Sequence, residues 1–402
     1  SIVTNFRAGE ISPKLEGRID LQKYNEATQT LNNMLVYPSG GVTRRPGTFF
    51  AGRSKDGGKV RLMNFEFSDE QAYVLEMGAN YIRFYKDGGL LTEATKTITA
   101  ITKANPAVVT SNGHSFSNGD RVFIKSVVGM TELNNQEFTV ASTATNTFAL
   151  SGVNSTGFTT YSSGGTAGKI VEVTTTYSAT EIFEINYTQS ADVMYLAHKS
   201  HEPAKLTRTT ATSFTLADID FVDGPYLDEN ITTTTVYASA NTGSVTITAS
   251  SSLFAATDVG RLIRVREVIE VVHDVWAATT NYSQNDLVRF GDNVYKKTDS
   301  GTDASGTTPP VHLSGTETYS DINWEYQHSG SAYLKITGFT SATVVTATFK
   351  NANGVIPASV VGSSNTTTNW SLGAFGGDQG FPRAVGFYEQ RLYFAGTTGQ
   401  PQ

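Results

Sequence analysis

Short runs in which apolar and polar residues alternate, each ended by a glycine-containing turn, commit most of this chain to β-sheet. From Val60 onward the sequence reads RLMNFEF, QAYVLEM and NYIRFYKDGG, and in the third run Ile82 and Phe84 alternate with Tyr81, Arg83 and Tyr85. Residues two apart share a face when the backbone is extended, so such a run is half-buried as a strand and mismatched as a helix. MGAN and KDGG supply the turns, and three such runs in succession predict a β-meander. The texture returns at 171–177, 183–187, 193–198, 245–249 and 262–265. Thirty-seven glycines cut the chain into pieces of this length, and only 17% of the residues are charged. The remaining polarity comes largely from Thr, Ser and Asn, and Thr, Val, Tyr and Phe favour a pleated, half-buried surface. The expected fold class is all-β.

The first 59 residues read differently. They are turn-rich, and DLQKYNEATQTLNNML is the one stretch with helical spacing: Leu21, Tyr24, Leu31, Met34 and Leu35 fall near one face. A helix over 20–35 with Asp20 as its N-cap is expected there. Beyond it, YPSGGVTRRPGTFF sets Arg44 and Arg45 between a Gly-Gly and a Pro-Gly turn. Residues 1–61 hold ten Lys and Arg against five Asp and Glu, a charge of +5, which leaves −12 for the rest of a chain whose total is −7. A basic N-terminal segment on an acidic body predicts docking to an acidic partner. An acidic body also speaks against nucleic-acid binding as the main task, because neutralising phosphates takes a basic footprint.

Changes of texture divide the chain. Residues 1–59 form a docking segment. Residues 60–96, 169–271 and 331–402 form one discontinuous β body. Residues 97–168, with short strands near Val108, Val122, Phe138 and Phe148, have the rhythm of a small closed β-barrel. Residues 272–330, holding Trp276 and Trp324, are a second insert. Composition shifts and Ser/Thr/Gly-rich flanks predict that both inserts are autonomous modules. The last strand, RLYFAG, has no following partner in the sequence, which predicts a longer protein.

The absence of cysteine excludes disulfides, thiolate nucleophiles and Cys-ligated metals. No run approaches the roughly 18 apolar residues of a membrane helix, and SIVTNFRAGE lacks a basic-then-apolar leader pattern. A soluble protein made in a reducing cytoplasm is expected, with no membrane span. HExxH, GxSxG and phosphate-loop motifs are absent, so neither catalysis nor a cofactor is expected. His198 and His201 in HKSH could ligate a metal, but a solvated loop is the better reading of two histidines with only Glu202 beside them. AFGGDQGF, at 374–381, reads as a tight turn, and Trp276 and Trp324 read as module core.

Several stretches resemble a known family. Gly9–Pro13, Arg18–Asp20, Asn32–Asn33 and Gly40–Pro46 resemble the N-terminal pattern of the tail nozzle proteins of short-tailed bacteriophages, also called tail tubular B-type or stabilisation proteins. QSADVMYLAHKSHEPAKLTR and GFPRAVGFYEQRLYFAG are similar to recurrent strand motifs of that family. The resemblance implies a propeller-like body and a structural virion protein below the portal and adaptor. It implies a ring of identical subunits, a hexamer, which supports tail fibres or spikes and lines a channel that genomic DNA traverses without specific binding. Assembly would take place in the host cytoplasm. Arg18, Asp20, Arg44 and Arg45 are the interface candidates.

Residues 97–168 resemble the small β-barrel that phage structural proteins share with the FCCH region of ubiquitin-activating enzymes. Residues 272–330 resemble a chitinase-type carbohydrate-binding module, with Trp276, Tyr282, NDLVRFGDNVYK and Trp324 at scaffold positions. That family carries exposed aromatic residues just after the VYK strand, where this chain has Thr298 and Asp299. Tyr282 and Tyr295 are the remaining candidates to face a glycan. The competing function is therefore a glycan-binding tail or secreted protein that recognises host surface polysaccharide.

Overall fold

A computed structural model describes residues 5–68, 71–350 and 354–401 of the chain. It divides into two units, one of residues 1–53 with 87–90 and one of residues 54–86 with 91–402. The class is all-β: 44% of the chain is strand and no helix reaches seven residues. No described helix is long and apolar enough to cross a membrane.

The first unit departs from expectation at the helix. Instead of one helix over 20–35, the chain makes a 3-10 turn at Gln22–Glu26 and a strand at Ala27–Thr28 that pairs in parallel with Gly9–Glu10. A further strand, Met34–Val36, follows. Helices of this length depend on packing an apolar face against a neighbour, and here Leu21, Tyr24 and Leu31 are only part-buried. Asn25, Thr28, Thr30, Asn32 and Asn33 add weak helix propensity, and Asn33 adopts a φ of 57°, which no helix continues. Asp20 caps nothing. It accepts two hydrogen bonds from the Arg18 guanidinium, at 2.8 and 2.6 Å.

In the second unit the expected meander is present. Arg61–Ser68, Gln71–Gly78 and Tyr81–Lys86 are successive antiparallel neighbours. A second four-stranded meander, Asn186–Ser190, Val193–His198, His201–Thr210 and Ser213–Asp218, follows later in the chain. The two share one core, in which Phe65, Leu75 and Phe84 of the first meet Met194, Leu206 and Phe214 of the second. The Phe84 and Phe214 rings stack at 3.8 Å. A six-stranded antiparallel sheet has a separate core that includes Ile247, Ile263, Leu334, Val345 and Trp370. Arg391–Ala395, which carries RLYFAG, pairs with Ala384–Tyr388.

Two long excursions leave the body sheets between strands that are direct neighbours. Tyr81–Lys86 and Glu172–Thr174 are paired, with Arg83 opposite Glu172. Between them lies a seven-stranded sheet whose two end strands are Lys96–Thr97 and Ala100–Ile101. These ends are two residues apart in the chain, so the sheet curls until its edges meet. Ile98 N–H reaches Gly165 O on one side and Thr99 N–H reaches Thr110 O on the other, each at 2.9 Å. The curl is tight at Gly165, where φ is 95° and a Cβ would stand 2.7 Å from a Val127 methyl. Val109, Val122, Ile124, Val140, Phe148 and Leu150 fill the interior.

The second excursion spans residues 267–330. It begins after Arg266 and ends before Ser331, which are opposite each other in the six-stranded sheet. It holds a five-stranded sheet with a core of Trp276, Tyr282, Val288, Tyr295, Ile322 and Trp324.

Candidate functional site

The N-terminal unit has almost no interior. Among its described residues up to Arg53, Gly40 alone is buried. Large apolar side chains lie in the open: Phe49 is 82% exposed, Ile19 77% and Phe50 68%, and Leu15, Met34, Leu35 and Tyr37 are exposed as well. Its order comes from backbone bonds and turns. Phe6 N–H donates to Gly40 O at 2.8 Å and Leu31 N–H to Glu10 Oε2 at 2.7 Å.

Met34–Val36 and Val42–Arg44 form a hairpin whose Tyr37–Gly41 loop is closed by Gly40 N–H to Tyr37 O at 2.9 Å and Tyr37 N–H to Gly41 O at 2.8 Å. Gly40 has a φ of 96°, and a Cβ there would strike the Asn5 side chain at 2.4 Å. PSGG is therefore a turn that other residues fit poorly. Arg44 lies opposite Met34, and Arg45 extends the ladder through its N–H to Asn33 O at 2.8 Å.

Both arginines are exposed, and no ion pair holds either among the described residues. Arg44 ends its strand and Arg45 follows it, so extended backbone sets the two side chains on different sides of the hairpin's end. Arg18 and Asp20 already satisfy one another, and the Arg18 hydrogen bonds hold the Asp20 carboxyl below its usual range.

The glycan-facing expectation is corrected. Tyr295 is completely buried and Tyr282 is 7% exposed. The Tyr295 hydroxyl donates to His312 O at 3.0 Å, and the Tyr282 hydroxyl accepts from Ala277 N–H at 2.7 Å. Both rings are core, packed with Trp324 and Tyr326, because a small module needs its few large side chains inside. Trp276 and Trp324 are core too. Thr298 and Asp299 tie their loop to the strand Ile322–His328. Thr298 Oγ1 donates to Asn323 O at 3.2 Å, and the Asp299 carboxylate accepts from the Asn323 backbone and side-chain amides. With those positions used internally, residues 272–330 should bind chitin oligosaccharides no better than millimolar. A micromolar constant by calorimetry on the full chain would show that another ring serves as the platform.

His198 and His201 face each other across a two-residue turn between strands, not from a helical turn. The carboxylate that joins them is Glu181, with Oε2 3.3 Å from His201 Nε2, rather than Glu202. The Ser178 N–H holds the Glu181 carboxyl down to about 2. Ser200 N–H donates to His198 Nδ1 at 3.2 Å, which leaves the proton on Nε2 and that nitrogen unable to ligate. Glu181 was not visible in sequence, because only the packing of the 3-10 turn Glu181–Phe183 brings it to the hairpin. AFGGDQGF is a turn, closed by Gly376 N–H to Gly380 O at 2.8 Å.

Residues 104–170 match the Ubiquitin-activating enzyme E1 FCCH domain, a non-catalytic part of those enzymes. The match lies within the curled seven-stranded sheet and its exit, and it concerns fold rather than ubiquitin chemistry. No curated protein matches the chain.

Proposed function

We propose that this chain is a structural, non-enzymatic subunit of a bacteriophage tail nozzle, assembled as a ring below the portal and adaptor. The carrying observation is the N-terminal unit with exposed Phe49, Phe50 and Ile19 and next to no core. Apolar surface of this kind on a segment that buries nothing of its own fits a contact that a partner completes. A second copy of the chain and the adaptor ring are the partners the proposal names, and the acidic body supplies carboxylates for the basic segment to meet. A wall of net negative charge also suits a channel through which DNA slides, since like charge discourages adhesion. The propeller-like arrangement of the body, its support of fibres or spikes and its place in the virion belong to this same proposal.

Electron microscopy of the purified chain mixed with portal–adaptor particles tests it. A closed ring of additional density below the adaptor is expected, and it should be lost when residues 1–53 are removed. Undecorated particles at micromolar chain, or rings that form equally well without residues 1–53, would overturn the proposal.

A further inference from the structure

The acidity of this chain is concentrated in one place. Residues 267–330 hold three Lys and Arg against ten Asp and Glu, a charge of −7, so this excursion carries more than half of the −12 found outside residues 1–61. The other excursion, at 97–168, is balanced, with three of each sign. Among the described residues, the one Lys or Arg ion pair within 267–330 joins Lys297 to Asp303. Most of its carboxylates therefore have no cation of their own.

The same excursion has an open sheet edge. Thr316–Tyr319 ends its five-stranded sheet, with Ile322–His328 as its partner strand. Tyr326 N–H donates to Gly315 O at 2.8 Å. Every second residue from Gly315 thus turns its backbone groups to the neighbouring strand, and Thr316 and Thr318 turn theirs outward. Those outward groups have no backbone partner among the described residues. Glu317 and Asp321 are exposed along this edge. Beside it stand Val311, 57% exposed, and Leu313, 69% exposed. Their loop is held to the edge by His312 Nε2–H to Gly315 O at 3.2 Å and by Val311 N–H to the Tyr319 hydroxyl at 3.4 Å. Charge alone would guard an edge against stray pairing, but a guarded edge has no need of exposed aliphatic side chains next to it.

A matching edge lies on the N-terminal hairpin. Val42–Arg44 has Met34–Val36 as its partner strand. The bonds from Tyr37 N–H to Gly41 O and from Arg45 N–H to Asn33 O turn Val42 and Arg44 outward by the same alternation. Each edge therefore offers two outward residues, two positions apart. The charges are opposite, with Arg44 and Arg45 on one edge and Glu317 and Asp321 on the other. Exposed Met34, Leu35 and Tyr37 give the hairpin apolar surface to set against Val311 and Leu313. Within one chain the two edges belong to separate sheets and neither is filled.

Resting on the reading of the chain as a ring subunit, we propose that the Val42–Arg44 edge of one copy adds as a further strand to the Thr316–Tyr319 edge of a second copy. Backbone hydrogen bonds supply the pairing, and opposite charge selects which edge meets which. The two surfaces differ, so the contact is head-to-tail and repeats around a ring. The 267–330 excursion is then an assembly element.

Sedimentation equilibrium of the full chain tests this. Concentration-dependent association is expected at low salt, and it should weaken at high salt. Thr318→Pro removes an outward N–H and leaves the inward ladder intact. It should keep the parent's thermal midpoint and weaken association about tenfold. Glu317→Arg and Arg44→Glu/Arg45→Glu should each associate poorly alone, and a mixture of the two should form a dimer with one of each. A parent chain that stays monomeric, association of Thr318→Pro equal to the parent's, or a mixture that does not pair would each overturn the contact. Portal–adaptor particles separate this outcome from that of the nozzle reading. Decoration by Thr318→Pro equal to the parent's would overturn the contact alone, whereas a parent that associates in solution and never decorates the particles would overturn the nozzle reading alone.

Discussion

The double variant Arg44→Lys/Arg45→Lys should fold as the parent does and fail to join portal–adaptor particles. Both side chains are exposed at the end of a hairpin whose turn is fixed by Gly40 and whose exit is fixed by Pro46. Nothing within the described chain depends on them for stability, so the thermal midpoint should not move. Assembly is another matter. A guanidinium on a fixed backbone loses little freedom when it grips a carboxylate through two parallel hydrogen bonds, and an ammonium cannot reproduce that geometry. Truncating one partner of a buried interfacial pair costs roughly 2–5 kcal/mol, most of it from the carboxylate left unpaired. In the proposed ring the loss repeats at every subunit. Sedimentation with purified portal–adaptor particles at physiological salt measures it. Normal assembly of the double variant would reduce the pair to a solvated turn.

The largest stability effect should come from Arg83→Met. Arg83 is completely buried on the meander strand Tyr81–Lys86. Its Nε lies 2.8 Å from Glu172 Oε2, and its Nη1 lies 2.8 Å from Glu137 Oε2. Glu172 also meets Lys55 Nζ at 2.6 Å, and Glu137 pairs with Arg121. The network thus ties the meander to the curled module that carries Glu137. Removing the central cation leaves Glu172 with Lys55 and Glu137 with Arg121, so the loss should approach but not exceed the roughly 3–5 kcal/mol of a fully broken buried pair. That is a large share of the 5–15 kcal/mol typical of a folded domain.

The pH dependence follows from Glu172. Burial works against its charge, but the hydrogen bonds from Lys55 and Arg83 prevail and lower its carboxyl from the ordinary 4.5. A depressed acid contributes in full above its unfolded value and is lost as pH falls through the folded one. Parent and variant should therefore converge in stability as pH falls from the ordinary carboxyl value of 4.5 through the lowered folded one. Urea unfolding at pH 7 and in acid gives both numbers, and a loss under about 1 kcal/mol at pH 7 would mean that the network relaxes around the gap.

The strands were legible as short runs between turns, but the alternation in Tyr81–Lys86 did not mark an exposed face: Tyr81 and Arg83 are buried along with Ile82 and Phe84, because both sides of this strand are covered. The N-terminal helix misled because spacing alone was counted. Spacing sets which residues could share a face, whereas a short helix also needs something to pack that face against. Tyr282 and Tyr295 misled for a related reason. Aromatic rings serve as core or as platform with the same local pattern, and only the packing of Trp324 and Tyr326 around them decides. Arg44 and Arg45 were legible as a fixed corner, since Gly and Pro act locally, but the extension of the ladder by the Arg45 N–H to Asn33 O was not.

Both excursions leave from and return to residues that already face each other in a sheet. The chain ends at such a neck are separated by one ladder step, about 5.5 Å between Cα atoms of a hydrogen-bonded pair. A short turn could join them, and so could any module whose first and last strands emerge side by side. The body is in this sense a rack with two sockets. Lineages could exchange what is plugged into either socket without redrawing a single hydrogen bond of the rack. The residues at each neck, rather than those of the cargo, then become the part of such a protein that must stay the same.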